Sequence, residues 1–267
     1  MDIRKQFEYN SSIDVTASQI GISRWQWDYI ESEDYELVKS KMAAQRFDVL
    51  PVVPAVGTLT HYFSTVEWNK YSNLNLNKIS DSQKIYYRLS LKDLVRKFKT
   101  EDRHYYFLTD YDQILGLVSY VNLNCQLVYN YLFQVIADIE RGVSNLLKLH
   151  IPQDEIIKAF LDSENSHLIA VVEEYQKSIQ SNHDTNIFLH MYLPNLGFLL
   201  NKFITKLPGE TKRLGKYAAK FGPNNNFNLL RRKIMHPVRP ILSDKDSIKQ
   251  IDELLTDYFE IKQILHQ

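Results

Sequence analysis

The chain has 267 residues, and its 32 basic and 32 acidic side chains cancel to a formal charge of zero. A length of this order suits two hydrophobic cores better than one, and zero net charge excludes a global field that would draw in nucleic acid or a membrane surface. Cys125 is the only cysteine, which excludes an internal disulfide and any multi-cysteine zinc site.

Residues 1–14 contain no apolar run of signal-peptide length, and no stretch approaches the roughly 18 apolar residues of a membrane span. The expectation is a cytoplasmic protein that makes no membrane contact. Eight glycines and eight prolines fall below average usage, so long regular elements should dominate over turns.

The first half alternates helical and strand-like runs. Ser32–Phe47 places Leu37 and Met42 on a helical period, Asp48–Val53 is a compact apolar strand, and Thr58–Ser64 follows Gly57 as another. The polar stretch 69–84 then reads as a helix end plus linker. The same order returns with a strand at Ile85–Ser90 and a helix at Leu91–Lys99, with Leu91, Leu94, Val95 and Phe98 on one face. Strands follow at His104–Asp110 and Ile114–Val121. Two units of like plan, roughly 55 residues apart, make an internal repeat.

Beyond Asn122 the strand signal stops. Leu127, Tyr131, Val135, Ile139, Val143 and Leu146 follow one long helix, and further helices are expected at Asp154–Gln180, His190–Thr205 and Asp244–Leu265. The last carries an apolar stripe of Ile251, Leu254, Tyr258, Ile261 and Leu265, while Ser181–Asn186 and Phe221–Asn228 read as loops. The second half is expected to be a helical bundle. The predicted fold class is therefore α+β, with two βαββα modules at 1–123 (roughly 1–76 and 77–123) and an all-helical domain at 124–267.

The third strand of the second copy runs Gly116-Leu117-Val118-Ser119-Tyr120-Val121-Asn122. This resembles the CBS family, in which glycine, two apolar residues, Ser or Thr, two variable residues and Asp or Asn run from strand into helix. The resemblance implies tandem modules packed sheet to sheet, holding an adenine nucleotide as a regulatory ligand, with no cofactor required. Ser119, at a helix start, would meet a phosphate beside free backbone N–H groups, and Asn122 would bond a ribose. In the first copy His61 stands at the glycine position, with Ser64 at the hydroxyl position and Glu67 at the acid position. A side chain in place of glycine crowds the cleft, so the second copy is the expected site. Plain dimerising modules are the competing reading.

The second half contains Asn228–Leu242, NLLRRKIMHPVRPIL. It resembles the signature of HEPN domains, an Arg five residues before a His within a helical bundle. Two such motifs meeting across a homodimer form a metal-independent endoribonuclease site. The resemblance assigns Arg231 and His236 as catalytic residues and RNA as the substrate. Arg232 stands where the family often has Asn. Histidine titrates near neutral pH and can act as general base or acid, and arginine offers a planar cationic fork to phosphate oxygens. On an ideal helix Arg232 rather than Arg231 lies over His236, because residues four apart share a face. Pro237 disfavours helical backbone at His236. A helix C-terminus also favours Arg and His electrostatically without any chemistry.

From Lys202 to Arg239, ten basic residues face only Glu210, a pattern of either a nucleic-acid face or a solvated surface. Neither a Walker-type loop nor a GxGxxG after a strand occurs, and no paired histidines suggest zinc. Asp138, Glu140 and Arg141 read as exposed ion pairs, and Trp25, Trp27, Tyr129, Tyr131, Tyr192 and Phe198 as core or interface. The expected function is a nucleotide-responsive regulator whose helical domain cleaves RNA. The alternatives are a non-catalytic dimeric scaffold and a regulatory subunit that binds adenine nucleotides and a protein partner.

Overall fold

The computed structural model describes residues 15–31, 34–45, 48–54, 57–65, 74–101, 103–181, 186–235, 240–243 and 245–266. The chain forms two units, Met1–Cys125 and Gln126–Gln267. The architecture is α+β: every named strand lies in the first unit, and the described elements of the second are helical.

The first unit begins with a short helix α1 (Ala17–Ile20) and strand β1 (Ile22–Ser23). Helix α2 (Tyr35–Gln45), β2 (Val49–Val52), β3 (His61–Thr65) and β4 (Leu74–Lys78) follow. Then come β5 (Lys84–Tyr86), α3 (Leu91–Glu101), β6 (Tyr105–Asp110) and β7 (Gln113–Ser119). One sheet has the order β2-β3-β4 and the other β1-β7-β6-β5. Helix, strand, strand thus occurs twice, as α2-β2-β3 and α3-β6-β7, with an antiparallel hairpin in each. Each copy also has a parallel contact on its first strand, Ile30 with Val52 and β5 with β6.

Several elements depart from the sequence expectation. Strand β4 and the 3-10 turn Asp81–Gln83 occupy the stretch expected as linker. Leu74-Asn75-Leu76-Asn77 alternates at the period of a strand, and antiparallel pairing of Leu76 with Phe63 secures it against β3. Leu37 is 52% exposed, and the core face of α2 is Val38 and Met42, packed on Leu50, Phe63 and Ile30. In α3 the expected Leu91, Leu94, Val95 and Phe98 are all buried. Strand β6 is buried from Tyr106 to Thr109, as suits a strand with neighbours on both edges.

The second unit comprises α4 (Gln126–His150), α5 (Gln153–Leu161), α6 (Ser166–Gln180), α7 (Leu193–Phe203), a single turn α8 (Gly215–Ala218), α9 (Asn226–Ile234) and α10 (Lys245–Leu265), joined in part by 3-10 turns. The expected helix 154–180 is broken in two. Glu164 adopts φ 55°, and the Asn165 side chain accepts from the His167 N–H at 3.0 Å, so a helix start intervenes. Residues 226–228, expected in a loop, are the first turn of α9 with Phe227 buried. The buried stripe of α4 is Val128, Leu132, Val135, Ile139, Val143 and Leu147, which leaves Leu127, Tyr131 and Leu146 half-buried at its flanks. Gly142 lets α10 approach: a Cβ there would lie 2.5 Å from Leu265 Cδ1. Among the described residues no helix is long and apolar enough to cross a membrane.

Candidate functional site

The motif expected to hold a nucleotide ends β7 and starts a 3-10 turn, Tyr120–Asn124. Asn122 Oδ1 accepts from the Ser119 N–H at 2.7 Å and from the Ser119 hydroxyl at 2.9 Å. The two predicted residues are therefore joined to each other in a closed turn, which passes through Cys125 into α4. Beside it, the Tyr120 N–H donates to the His104 carbonyl at 3.0 Å, and the two rings lie 5.4 Å apart. Burial and the nearby Asp48 carboxylate raise the Tyr120 hydroxyl above its ordinary range.

Gly116 has a packing role. A Cβ on it would sit 2.4 Å from the Ile22 carbonyl oxygen, and one on Gly21 would sit 2.7 Å from the Leu117 carbonyl. The glycine in the motif is thus what lets β1 lie against β7, where Ile22 faces Leu117 and Ser23 faces Gly116.

In the first copy Ser64 is engaged from two sides. Asn77 Nδ2 donates to its hydroxyl at 3.0 Å, and the Tyr105 hydroxyl is bonded to Ser64 and to Tyr62. Burial first, and then Tyr62, pushes Tyr105 far above the ordinary phenol range, against the opposing pull of the Ser64 bond. Gln83 Nε2 donates to the Tyr62 hydroxyl, and Tyr62 packs edge-on against Tyr105 and Phe107. Aromatic rings thus join the two copies beside Ser64, while the backbone of Tyr105 pairs with Ser119. His61, at the glycine position, pairs with Lys78 on β4 and bonds Thr60 Oγ1 at 2.9 Å. Glu67 lies outside the described residues.

In the helical unit Leu230 and Ile234 are buried on the packing face of α9. Arg231 is half-buried. Its Nε lies 3.3 Å from Glu140 Oε1 on α4, and its guanidinium carbon sits 4.7 Å over the Tyr192 ring. Glu140 Oε1 also accepts from the Leu193 N–H at the start of α7, at 3.3 Å. Burial raises the Glu140 carboxyl above the usual range, against the opposing pull of Arg231 and that N–H. Of the acids expected to form exposed pairs on α4, Asp138 does face Arg141 at 3.7 Å. Glu140 instead joins three helices. Arg232 is exposed, and Lys233 Nζ reaches the Ile241 carbonyl at 3.3 Å. His236 and Pro237 lie outside the described residues.

Acids meet much of the basic run, four of them brought in from elsewhere in the chain. Lys206 pairs with Glu155, Arg213 with Glu210, Lys216 with Glu260, Lys220 with Asp257 and Arg231 with Glu140. The Tyr217 hydroxyl shares Glu260 with Lys216 and is pushed up to about 12, by burial first and then by that carboxylate. A cavity of about 380 Å³ opens between the end of α4 and the turn at Asn186–Phe188, lined among others by Lys148, His150, Gln153 and Phe188. It shares no residue with either predicted site. Among the described residues no cluster of His, Cys, Asp or Glu is arranged to hold a metal.

No family model matches the chain, and no curated protein matches it. The chain is similar to a protein ascribed to acetoin utilization (AcuB) from Vibrio cholerae, at 11% identity and TM-score 0.34. That match covers 45% of this chain and 94% of the other. It is also similar to the hexameric CBS-CP12 protein from bloom-forming cyanobacteria, at 12% identity and TM-score 0.33, over 49% of this chain and 88% of that one. A second structure of CBS-CP12 gives 13% identity and TM-score 0.34, over 62% and 96% of the two chains.

Proposed function

We propose that this chain is a cytoplasmic regulatory protein, a homodimer whose first unit is a pair of CBS-type modules responding to an adenine nucleotide. The observation that carries this reading is the closed Ser119–Asn122 turn. It gathers a hydroxyl and an amide at the end of a strand, the two groups the motif assigns to phosphate and ribose. One site per chain is the reading, because in the first copy His61 stands where the second copy has Gly116. Titration calorimetry with AMP, ADP, ATP and an adenine dinucleotide tests it, with binding at one site per chain expected. Absence of heat with all four would remove the sensing role and leave the scaffold reading.

A second reading concerns the helical unit, as a metal-independent endoribonuclease that acts through Arg231 and His236 with Arg232 auxiliary. It is favoured by the way Arg231 is held: its Nε is fixed on Glu140 and its flat face on Tyr192. A guanidinium fixed in this way is poised to meet phosphate oxygens at little further ordering cost. The reaction needs no metal. The 2′-OH attacks the phosphorus as His236 takes its proton, the bond to the leaving 5′-oxygen breaks, and that oxygen takes a proton from the imidazolium so formed or from water. The product is a 2′,3′-cyclic phosphate. Purified protein should cut single-stranded RNA in EDTA, and His236→Ala should lower the rate by ~10²–10⁴-fold. Cutting that stops in EDTA, or that survives His236→Ala, refutes the assignment.

A further inference from the structure

We propose that Tyr192, Arg231 and Glu140 form a one-nucleotide subsite on the helical unit, with Arg231 receiving an RNA phosphate, Tyr192 stacking the adjoining base and Glu140 as the positioning residue. The proposal rests on the reading of Arg231 as a phosphate ligand and adds to it the recognition of the base.

Tyr192 carries the argument. It is 57% exposed, although its backbone is held by three hydrogen bonds. Its N–H donates to Asn195 Oδ1 at 2.8 Å, Asn195 is itself buried, and its carbonyl accepts from the N–H groups of Asn195 and Leu196. Pro194 stiffens the same turn. An aromatic ring held on a rigid turn in partial contact with solvent can stack on a partner without first losing backbone freedom.

Arg231 and Tyr192 come from different helices, and Glu140 brings them together by accepting from Arg231 Nε and from the Leu193 N–H beside Tyr192. With Nε committed, the terminal nitrogens of the guanidinium remain the part suited to a phosphate oxygen pair. A cationic fork lying on an aromatic face suits a nucleotide, whose anionic and aromatic parts are adjacent. Successive bases in single strands stack on aromatic side chains in a sequence-tolerant way. The exposed Arg232 adds a second cation one residue along α9. Arg231 is paired like Lys206, Arg213, Lys216 and Lys220, so the basic run does not favour a long strand-binding face, and the subsite depends on local geometry rather than on net field.

The test is fluorescence anisotropy of the full-length protein with a short fluorescein-labelled oligouridylate, alongside the same oligonucleotide carrying abasic positions. Tyr192→Leu should weaken binding to the intact strand on the order of ten-fold, while the abasic strand binds wild type and variant alike. Tyr192→Phe keeps the ring and should bind as wild type. Glu140→Ala should weaken binding and remove most of the further effect of Arg231→Ala. Glu140→Gln, which still accepts from Nε, should restore it. A purely structural role for the three residues would affect both strands equally. No binding by wild type, or intact and abasic strands equally weakened by Tyr192→Leu, overturns the subsite. Tyr192-dependent binding without cleavage sustains the subsite and removes the nuclease. Cleavage with unchanged affinity in Tyr192→Leu does the reverse.

Discussion

Asn122 has two separable roles, and one pair of substitutions distinguishes them. Its Oδ1 accepts both the N–H and the hydroxyl of Ser119, so Asn122→Ala removes the acceptor that two donors share at a half-buried turn. Loss of a side-chain acceptor at such a cap costs about 1 kcal/mol. In a unit of this size that lowers the melting temperature by about 4 °C. Asn122→Asp keeps the acceptor and should melt close to wild type. It also installs the carboxylate that the CBS motif usually carries, a stronger acceptor for ribose hydroxyls. The ligand effect is read from the nucleotide-induced shift in melting temperature, because a native-state ligand stabilises by RT ln(1 + [L]/Kd) whatever the starting stability. A ten-fold weaker site loses about 1.4 kcal/mol of that shift at saturating ligand. The expected order of shifts is Asp at or above Asn, and both above Ala. An Ala variant that melts with wild type would refute the cap. An Ala variant that keeps the full nucleotide shift would refute the ribose assignment.

Gly116→Ala should lower stability by ~1–3 kcal/mol, because the new Cβ meets the Ile22 carbonyl and β1 must move off β7. Hydrogen exchange should show the Arg24 N–H, bonded to the Leu115 carbonyl at 2.7 Å, losing protection first. Glu101 accepts from Lys97 and from the Tyr106 hydroxyl, with Arg103 at 3.6 Å, and the Lys97 bond foremost holds its carboxyl below the usual range. A depressed carboxyl adds stability above its unfolded value near 4.5, and that contribution is lost as pH falls through the folded value. Glu101→Gln should therefore be less stable than wild type at neutral pH and converge with it in acid; denaturant melts that stay parallel across that range would refute the pairing. Sedimentation at micromolar concentration should give a dimer, and a monomer would count against a nuclease site shared between chains.

Where the sequence was informative, one face of an element was apolar and the other polar. Leu91, Leu94, Val95 and Phe98 have the spacing of a single helical face, and burial of all four follows from that spacing. Leu74–Lys78 was missed for the opposite reason. Its asparagines resemble turn residues, and only the pairing with β3, including Asn77 donating to Ser64, makes the segment a strand. The break at Glu164–Asn165 was legible in principle, since Asn165 is a favoured cap residue, but the apolar period on both sides masked it. The motif Gly116–Asn122 was read correctly as a strand running into a helical turn. The reason for its glycine was not legible, because Gly116 serves an approach by Ile22, nearly a hundred residues earlier in the chain.

The basic run shows the same limit and bears directly on function. Ten cations against one acid, read along the chain, resemble a nucleic-acid face. In the fold, Glu140, Glu155, Asp257 and Glu260 arrive from α4, α5 and α10 and pair with four of them, and Glu210 takes a fifth. Exposed pairs of this kind add little stability, about 0–1 kcal/mol each. Their larger effect is on the field, because a paired cation attracts a polyanion far less than a lone one. The Glu140–Arg231 pair differs from the rest in that both of its side chains are half-buried, while Lys206, Lys216 and Lys220 also lie over aromatic rings. Breaking it would leave a partly desolvated charge, and so it holds its geometry where the surface pairs can exchange with water. A sequence reading sees charge but not the distant partners that neutralise it. Among the described cations of the run, Arg231 is the least exposed of those in ion pairs, held between the Glu140 carboxylate and the Tyr192 ring.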